Sequence, residues 1–225
     1  MGKLVLVPTP VGNLGDITLR ALDVLKSADG ILAEDTRRTG ILLSHYNIEN
    51  RIIPYHQHNE HRKVDAIAGM IAEGQTLALV TDAGTPGISD PGFLLVRTCI
   101  KNNIEIETLP GATAFLPALI NSGIPGDRFC FEGFLPHKKG RKKRLEGLKE
   151  ETRTIIFYES PYRICKLLQE LSDVMGPDRL ASVSRELTKI HEETVRGSLA
   201  ELQLRFCKTD VKGEITLVLS GNQRV

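Results

Sequence analysis

The sequence has no C-x-x-C pair. Cys99, Cys130, Cys165 and Cys207 stand far apart, which argues against a structural zinc site and offers no disulfide framework, so reduced, mostly buried thiols are expected. No apolar run approaches the length of a membrane span. The opening residues, MGKLVLVPTP, reach Pro8 too soon for a signal peptide, and a soluble cytoplasmic protein is the expectation. Neither G-x-G-x-x-G nor G-x-x-x-x-G-K-[ST] occurs, so a P-loop is excluded and a standard dinucleotide site is disfavoured. No internal repeat or low-complexity tract is evident. The net charge is only +1, so the molecule as a whole does not advertise a nucleic-acid partner.

What is present describes an ordinary globular protein: 225 residues, 41% hydrophobic and 25% charged, enough for one large or two small domains. The charge is unevenly spread. The first 110 residues carry 10 Lys and Arg against 13 Asp and Glu, the remainder 19 against 15. Within that remainder His137-Lys138-Lys139-Gly140-Arg141-Lys142-Lys143-Arg144 is a dense basic run.

The stretch LALVTDAGTPGISDPG, Leu77 to Gly92, is the most informative. Leu77–Val80 suits a buried strand, and the glycines and prolines that follow exclude strand or helix interior. A helical pattern resumes after Pro91. This is a long loop at the carboxyl end of a strand, where open α/β sheets place ligands. Asp82 can fix a polar ligand, whereas Asp90 and Pro91 are expected to start the next helix. The loop Pro8–Asp16 also follows a strand, but Pro8 and Pro10 remove N–H donors that would cradle phosphate. A ligand without a phosphate chain fits better.

Apolar runs at Lys3–Val7, Gly30–Glu34, Arg51–Pro54, Leu77–Val80 and Glu105–Leu109 alternate with helical patterns, the first capped by Asp16, and predict parallel βαβ units. Pro110–Phe115 enters a helix, and the domain boundary is placed within or just after it, giving 1–118 and 119–225. The second half reads as strands at 129–135, 154–159, 180–185, 192–196 and 214–220. Its helices follow the basic run to about Glu150, follow Pro161 to Met175, and pass through Leu199, Leu202 and Phe206.

Several clusters admit two readings. Glu34-Asp35-Thr36-Arg37-Arg38 is either a substrate cradle with phosphate-holding arginines or a capped helix start, and the stretch alone favours the latter. His56, His58 and His61 lie close together, but at a loop-to-helix junction with no cysteine nearby, which suits a polar rim better than a metal site. The basic run is of one sign with few interleaved acids, which favours contact with a phosphate backbone. Phe157-Tyr158, at a strand end, suit core packing, base stacking or a sulfonium cation.

Taken together, VPTPVGNLGDITLRAL, AEDTRRTG, YHQHNE, LVTDAGTPGISDPG, LPGATAF, FEGFLPHKKGRKKR and FYESPYR resemble the rRNA small subunit methyltransferase I family of the tetrapyrrole-methylase superfamily, and SRELTKIHEETVRG extends the likeness to Gly197. The resemblance implies two α/β domains, the first mostly parallel and the second mixed, with the cofactor S-adenosylmethionine in the cleft between them and a homodimeric assembly. It implies methylation of the ribose 2′-hydroxyl of a cytidine in the decoding centre of 16S rRNA, on free RNA or the small ribosomal subunit. Carried onto this chain, the cofactor residues are Pro10, Asp82, Ala83, Gly84, Thr85, Ile88, Thr113, Ala114, Phe157, Tyr158 and Gly197. RNA contacts fall on Arg37, Arg38, Lys138, Lys139, Arg141, Lys142, Lys143 and Arg144. For the base that takes the 2′-OH proton the candidates are Glu34, Asp35 or a histidine of the His56–His61 loop, His58 first, with water as a further option. Many tetrapyrrole methylases have a glycine-rich first loop where this chain has Pro8 and Pro10, as is typical of the rRNA branch. Family members often continue into a small helical extension, whereas this sequence stops at Val225; the chain is either naturally short or truncated, and substrate affinity and complete engagement of the ribosome are the properties this bears on. The alternatives are a small-molecule, tetrapyrrole-type methylase and a non-catalytic RNA-binding assembly protein.

Overall fold

The computed structural model describes residues 2–208 and 211–222. The chain divides into two compact units, Met1–Thr113 and Ala114–Val225. The division falls ahead of the helix in which it was expected. Ala118 and Leu119 of that helix pack with Ile156, Leu187 and Val218 of the second unit, so the helix belongs there.

The first unit is a five-stranded sheet of β1 (Lys3–Leu6), β2 (Gly30–Ala33), β3 (Ile52–Pro54), β4 (Leu77–Val80) and β5 (Glu105–Thr108), all parallel, in the order β3-β2-β4-β1-β5. The three inner strands are almost wholly buried, as their continuous apolar runs require when both faces are covered. Alternation along each strand sorts the side chains. Val5, Ile31, Ala33, Ala78 and Val80 pack under α1 (Leu19–Ser27) and α2 (Thr36–His45). Leu4, Leu6, Leu32, Leu77 and Leu79 pack under α3 (Glu60–Ala72) and α4 (Phe93–Lys101). From β1 the chain runs outward through β2 to β3, then returns to insert β4 beside β1. The neighbouring strands β1 and β4 therefore send their connections in opposite directions and over opposite faces, which opens a crevice at their carboxyl ends.

Two helix starts differ from expectation. Thr18 caps α1, its side chain accepting from the Ala21 N–H at 3.0 Å, while Asp16 lies in a preceding 3-10 turn. Gly92, with φ +141°, takes the N-cap of α4, so Asp90 does not start that helix.

The second unit is a mixed sheet, β6 (Phe129–Phe134), β7 (Thr154–Glu159), β8 (Leu180–Arg185), β9 (Glu193–Ser198) and β10 (Ile215–Leu219), ordered β6-β7-β10-β8-β9. Only β6 and β7 run parallel. One face carries α5 (Phe115–Ser122). The other carries α6 (Arg141–Gly147), α7 (Ile164–Met175) and α8 (Leu199–Phe206). The stripe Ile164, Leu167, Leu168, Leu171, Met175 of α7 supplies much of that core, and Ser198 with Glu201 forms a capping box on α8. α6 ends at Gly147, before the expected Glu150.

The expectation of reduced thiols is corrected in part. Cys165 of α7 and Cys207, just past α8, form a disulfide; Cys99 and Cys130 are free. The packing of α7 against α8 brings together residues 42 apart in sequence, a proximity that spacing alone does not reveal.

Candidate functional site

The loops that leave β1, β4 and β5 are tied together at the carboxyl edge of the first sheet. Thr9 and Gly84 form an isolated antiparallel bridge. The Thr9 hydroxyl donates to the Thr81 carbonyl at 3.0 Å, and the Thr85 hydroxyl to the Ala112 carbonyl at 3.1 Å. Gly84 sits at φ +81°, a left-handed conformation that favours glycine. At Gly111 the reason for glycine is space: a Cβ there would fall 2.7 Å from the Pro8 side chain. The structure thus brings the loop segments carrying Pro10, Asp82, Ala83, Gly84, Thr85 and Thr113 to one edge. Ile88 is part-exposed in the same long loop.

The loop after β2 joins them through Asp82. One carboxylate oxygen accepts the Asp35 N–H at 3.1 Å and the other lies 3.5 Å from the Arg38 guanidinium. Asp35 caps α2 and grips its own neighbour, accepting from the Arg37 N–H at 2.9 Å and its guanidinium at 3.1 and 2.7 Å. Hydrogen bonds from Arg37 hold Asp35 well below the usual carboxylate range, which makes it a weak proton acceptor. Glu34 behaves oppositely: burial, then repulsion from Asp82, raises it. Asp90 is pushed up to about 7, first by burial and then by the charges of Glu34 and Asp82. Glu34, Asp82 and Asp90 are therefore an electrostatically coupled acidic group. Asp90, expected only as a helix start, is its most perturbed member. Arg37 and Arg38 remain largely exposed despite their partners. His58 is exposed on the loop after β3, its ring 6.0 Å from that of His56, whose ring nitrogen meets Asn59 at 3.0 Å.

In the second unit the adjacent aromatics of β7 separate. Phe157 is fully buried in the core under α7, so its side chain is closed to a ligand, contrary to the expectation. Tyr158 points to the other face and packs against Phe131 and Phe134. Glu159, also buried, pairs with Arg163 at 2.7 Å and Arg141 at 3.5 Å. Arg141 is corrected as an RNA contact: it is 5% exposed and bonds Glu170 at 2.7 Å as well as the Pro136 carbonyl. Arg144 is tied to Glu132 at 2.5 Å. Lys138, Lys139, Lys142 and Lys143 are exposed. Gly197 pairs with Ala181 on the edge strand β9, where a Cβ would fall 2.8 Å from the Glu201 carboxylate.

A carboxylate group beside loops stripped of N–H donors by proline suits a cationic, hydroxyl-bearing ligand better than a polyphosphate. Comparison with known proteins agrees. Residues 3–203 match the model of the Tetrapyrrole (Corrin/Porphyrin) Methylases. The chain is 46% identical over 223 residues to Ribosomal RNA small subunit methyltransferase I of Thermotoga maritima, covering 99% of this chain and all of the relative. It is 50% identical to the protein of that name from Synechocystis sp., covering 98% of this chain and 80% of the relative. Among solved structures the methyltransferase CobJ superposes with a TM-score of 0.73 at 20% identity, covering 100% of this chain and 97% of that one. A diphthine synthase does so with 0.75 at 12%, covering 97% and 90%.

Proposed function

The chain belongs to the tetrapyrrole methylase family and, within it, to the ribosomal RNA small subunit methyltransferase I group; we propose that it methylates the ribose 2′-hydroxyl of a cytidine in the decoding centre of small-subunit rRNA. The observation that carries this reading is the near-full-length identity to relatives of that name, one of them matched over its whole length.

S-adenosylmethionine, when bound, supplies an electrophilic methyl group on a cationic sulfur. The first unit's residues fit such a donor. Asp82, Ala83, Gly84 and Thr85 present turned backbone and one anchored carboxylate, and Pro10, Ile88 and Thr113 flank them. The coupled acids favour a cation. In the second unit Ala114, Tyr158 and Gly197 keep the cofactor role that the resemblance gives them; Phe157 keeps only its backbone.

Methyl transfer to a hydroxyl is largely a matter of alignment together with removal of one proton. Glu34 is the better proton acceptor because its affinity for the proton is raised, whereas Asp35 is locked by Arg37. Arg37, Arg38 and the exposed lysines of the basic run hold the RNA backbone. The substrate is the small subunit or its RNA, and the protein acts as a cytoplasmic homodimer. No helix among the described residues is long and apolar enough to cross a membrane.

The test is transfer of labelled methyl from S-adenosylmethionine onto small subunits that lack the modification, and separately onto their free RNA, with the labelled ribose then mapped. Label on a cytidine 2′-oxygen is expected. Absence of label, or label on a base, overturns the reading.

A further inference from the structure

The second unit carries a run of aromatic rings whose last member reaches solvent. The ring of Phe115, at the start of α5, lies 6.0 Å from Phe129 and 4.9 Å from Phe131. Phe131 is 5.0 Å from Tyr158, and Tyr158 is 5.6 Å from Phe134. Phe134 ends the run 55% exposed.

Register explains how Phe134 comes to lie there. Phe131 of β6 stands opposite Ile156 of β7. Uninterrupted pairing would set Phe134 opposite Glu159, on the face covered by α6 and α7. Instead the register shifts after Phe131, Glu132 is the extra residue, and Gly133 (φ +58°) stands opposite Phe157. Phe134 then pairs with Tyr158 and shares its face. A one-residue bulge re-aims every side chain beyond it. Glu132 is fixed by Arg144 of α6, and Leu135, rather than Phe134, fills the core. The chain thus buries the smaller apolar residue and leaves the larger ring in water, against the preference that apolar burial sets. Exposed Lys138 and Lys139 follow four and five residues later.

The geometry points to Phe134 as a stacking residue for an unpaired base of the RNA substrate, with Tyr158 backing the ring and Lys138 and Lys139 on the adjoining phosphates. This rests on the RNA-methylating function proposed above. Unstacked bases are what aromatic side chains take from single-stranded RNA, and the contact tolerates sequence because every base has a flat face.

The experiment compares wild type, Phe134→Leu and Phe134→Tyr on a single-stranded RNA carrying 2-aminopurine, with methyl transfer to unmodified small subunits and S-adenosylmethionine calorimetry run in parallel. Wild type and the tyrosine variant are expected to quench the fluorophore. The leucine variant is expected not to quench it, to bind RNA about ten-fold more weakly and to raise KM for subunits, with cofactor affinity unchanged. Wild-type quenching and affinity in Phe134→Leu overturn the inference. So does weakened RNA binding that coincides with a changed sedimentation coefficient, since the ring would then be a subunit contact. If wild type quenches but transfers no methyl group, the proposed function falls and the stacking site stands. If wild type methylates and Phe134→Leu matches it in every assay, only the stacking site falls.

Discussion

Thr9 and Gly84 exchange two backbone hydrogen bonds, each 2.9 Å long. This bridge fixes the loop after β1 to the loop after β4 at the point where the two strands' connections diverge. Gly84→Ala tests the left-handed conformation in which Gly84 makes the bridge, because the nearest atom to the added Cβ is an unstrained 3.8 Å away and only the φ of +81° resists. A penalty of about 1–2 kcal/mol follows from forcing an L-residue into the left-handed region, lowering Tm by roughly 2–8 °C. Calorimetry with S-adenosylmethionine is expected to show weaker binding; unchanged Tm and affinity would remove the bridge from the site.

Asp90 makes stability depend on pH. Its native pKa, about 7, lies above the ordinary 3.8, so the native protein holds a proton that the unfolded chain has released. The stability tied to that proton is complete below pH ~4 and is lost as pH rises through about 7. Partial exposure scales the effect to roughly 1–3 kcal/mol. Asp90→Asn is expected to match wild type near pH 4 and to exceed it at pH 8.5 in thermal melts. A difference that does not vary with pH would contradict the raised proton affinity of Asp90.

Arg141 and Lys139 belong to one basic run but answer to different measurements. Removing Arg141, as in Arg141→Met, leaves Glu159 buried without one of its partners and is expected to cost ~3–5 kcal/mol of stability. Lys138→Ala with Lys139→Ala is expected to spare Tm and to flatten the salt dependence of RNA binding by about 0.7 in slope per lost contact. Melts and binding titrations from 50 to 200 mM salt, about the range where the effect is large, separate the two. A stable Arg141→Met with a reduced salt slope would return that residue to the RNA surface.

Cys165 and Cys207 close a loop whose ends are 42 residues apart. Loop-closure entropy alone gives about 4 kcal/mol of stabilisation in the oxidised protein. Denaturant melts with and without reductant are expected to differ by an amount of that order, and Cys207→Ser to abolish the difference. Equal melts would show that the bridge constrains nothing.

Much of the fold is legible in short windows of sequence. Leu77–Val80 announces a strand buried on both faces, the glycines and prolines to Gly92 announce a loop, and the stripe of α7 announces its buried side. The misreadings share a cause. Alternation says that Phe157 and Tyr158 face opposite ways, but which one is buried depends on where α7 packs. Arg141 looks solvated among lysines until Glu159 and Glu170, 18 and 29 residues on, close over it. Asp90 reads as a helix cap because its coupling to Glu34 requires β2 and β4 to be neighbours. Phe134 is hidden by a bulge, whose one-residue offset no periodicity displays.

The place of β10 in its sheet also bears on how the protein is made. The first unit has all five of its strands once synthesis has passed Thr108. The second has its last strand at the centre, hydrogen-bonded to β7 on one side and β8 on the other. Until Ile215–Leu219 emerge, those strands present two open, apolar edges with nothing to join them. Between the emergence of β8 and that of β10 the nascent chain therefore carries one half with all its strands and one half awaiting a keystone, the interval in which chaperones or stray strands have most to bind.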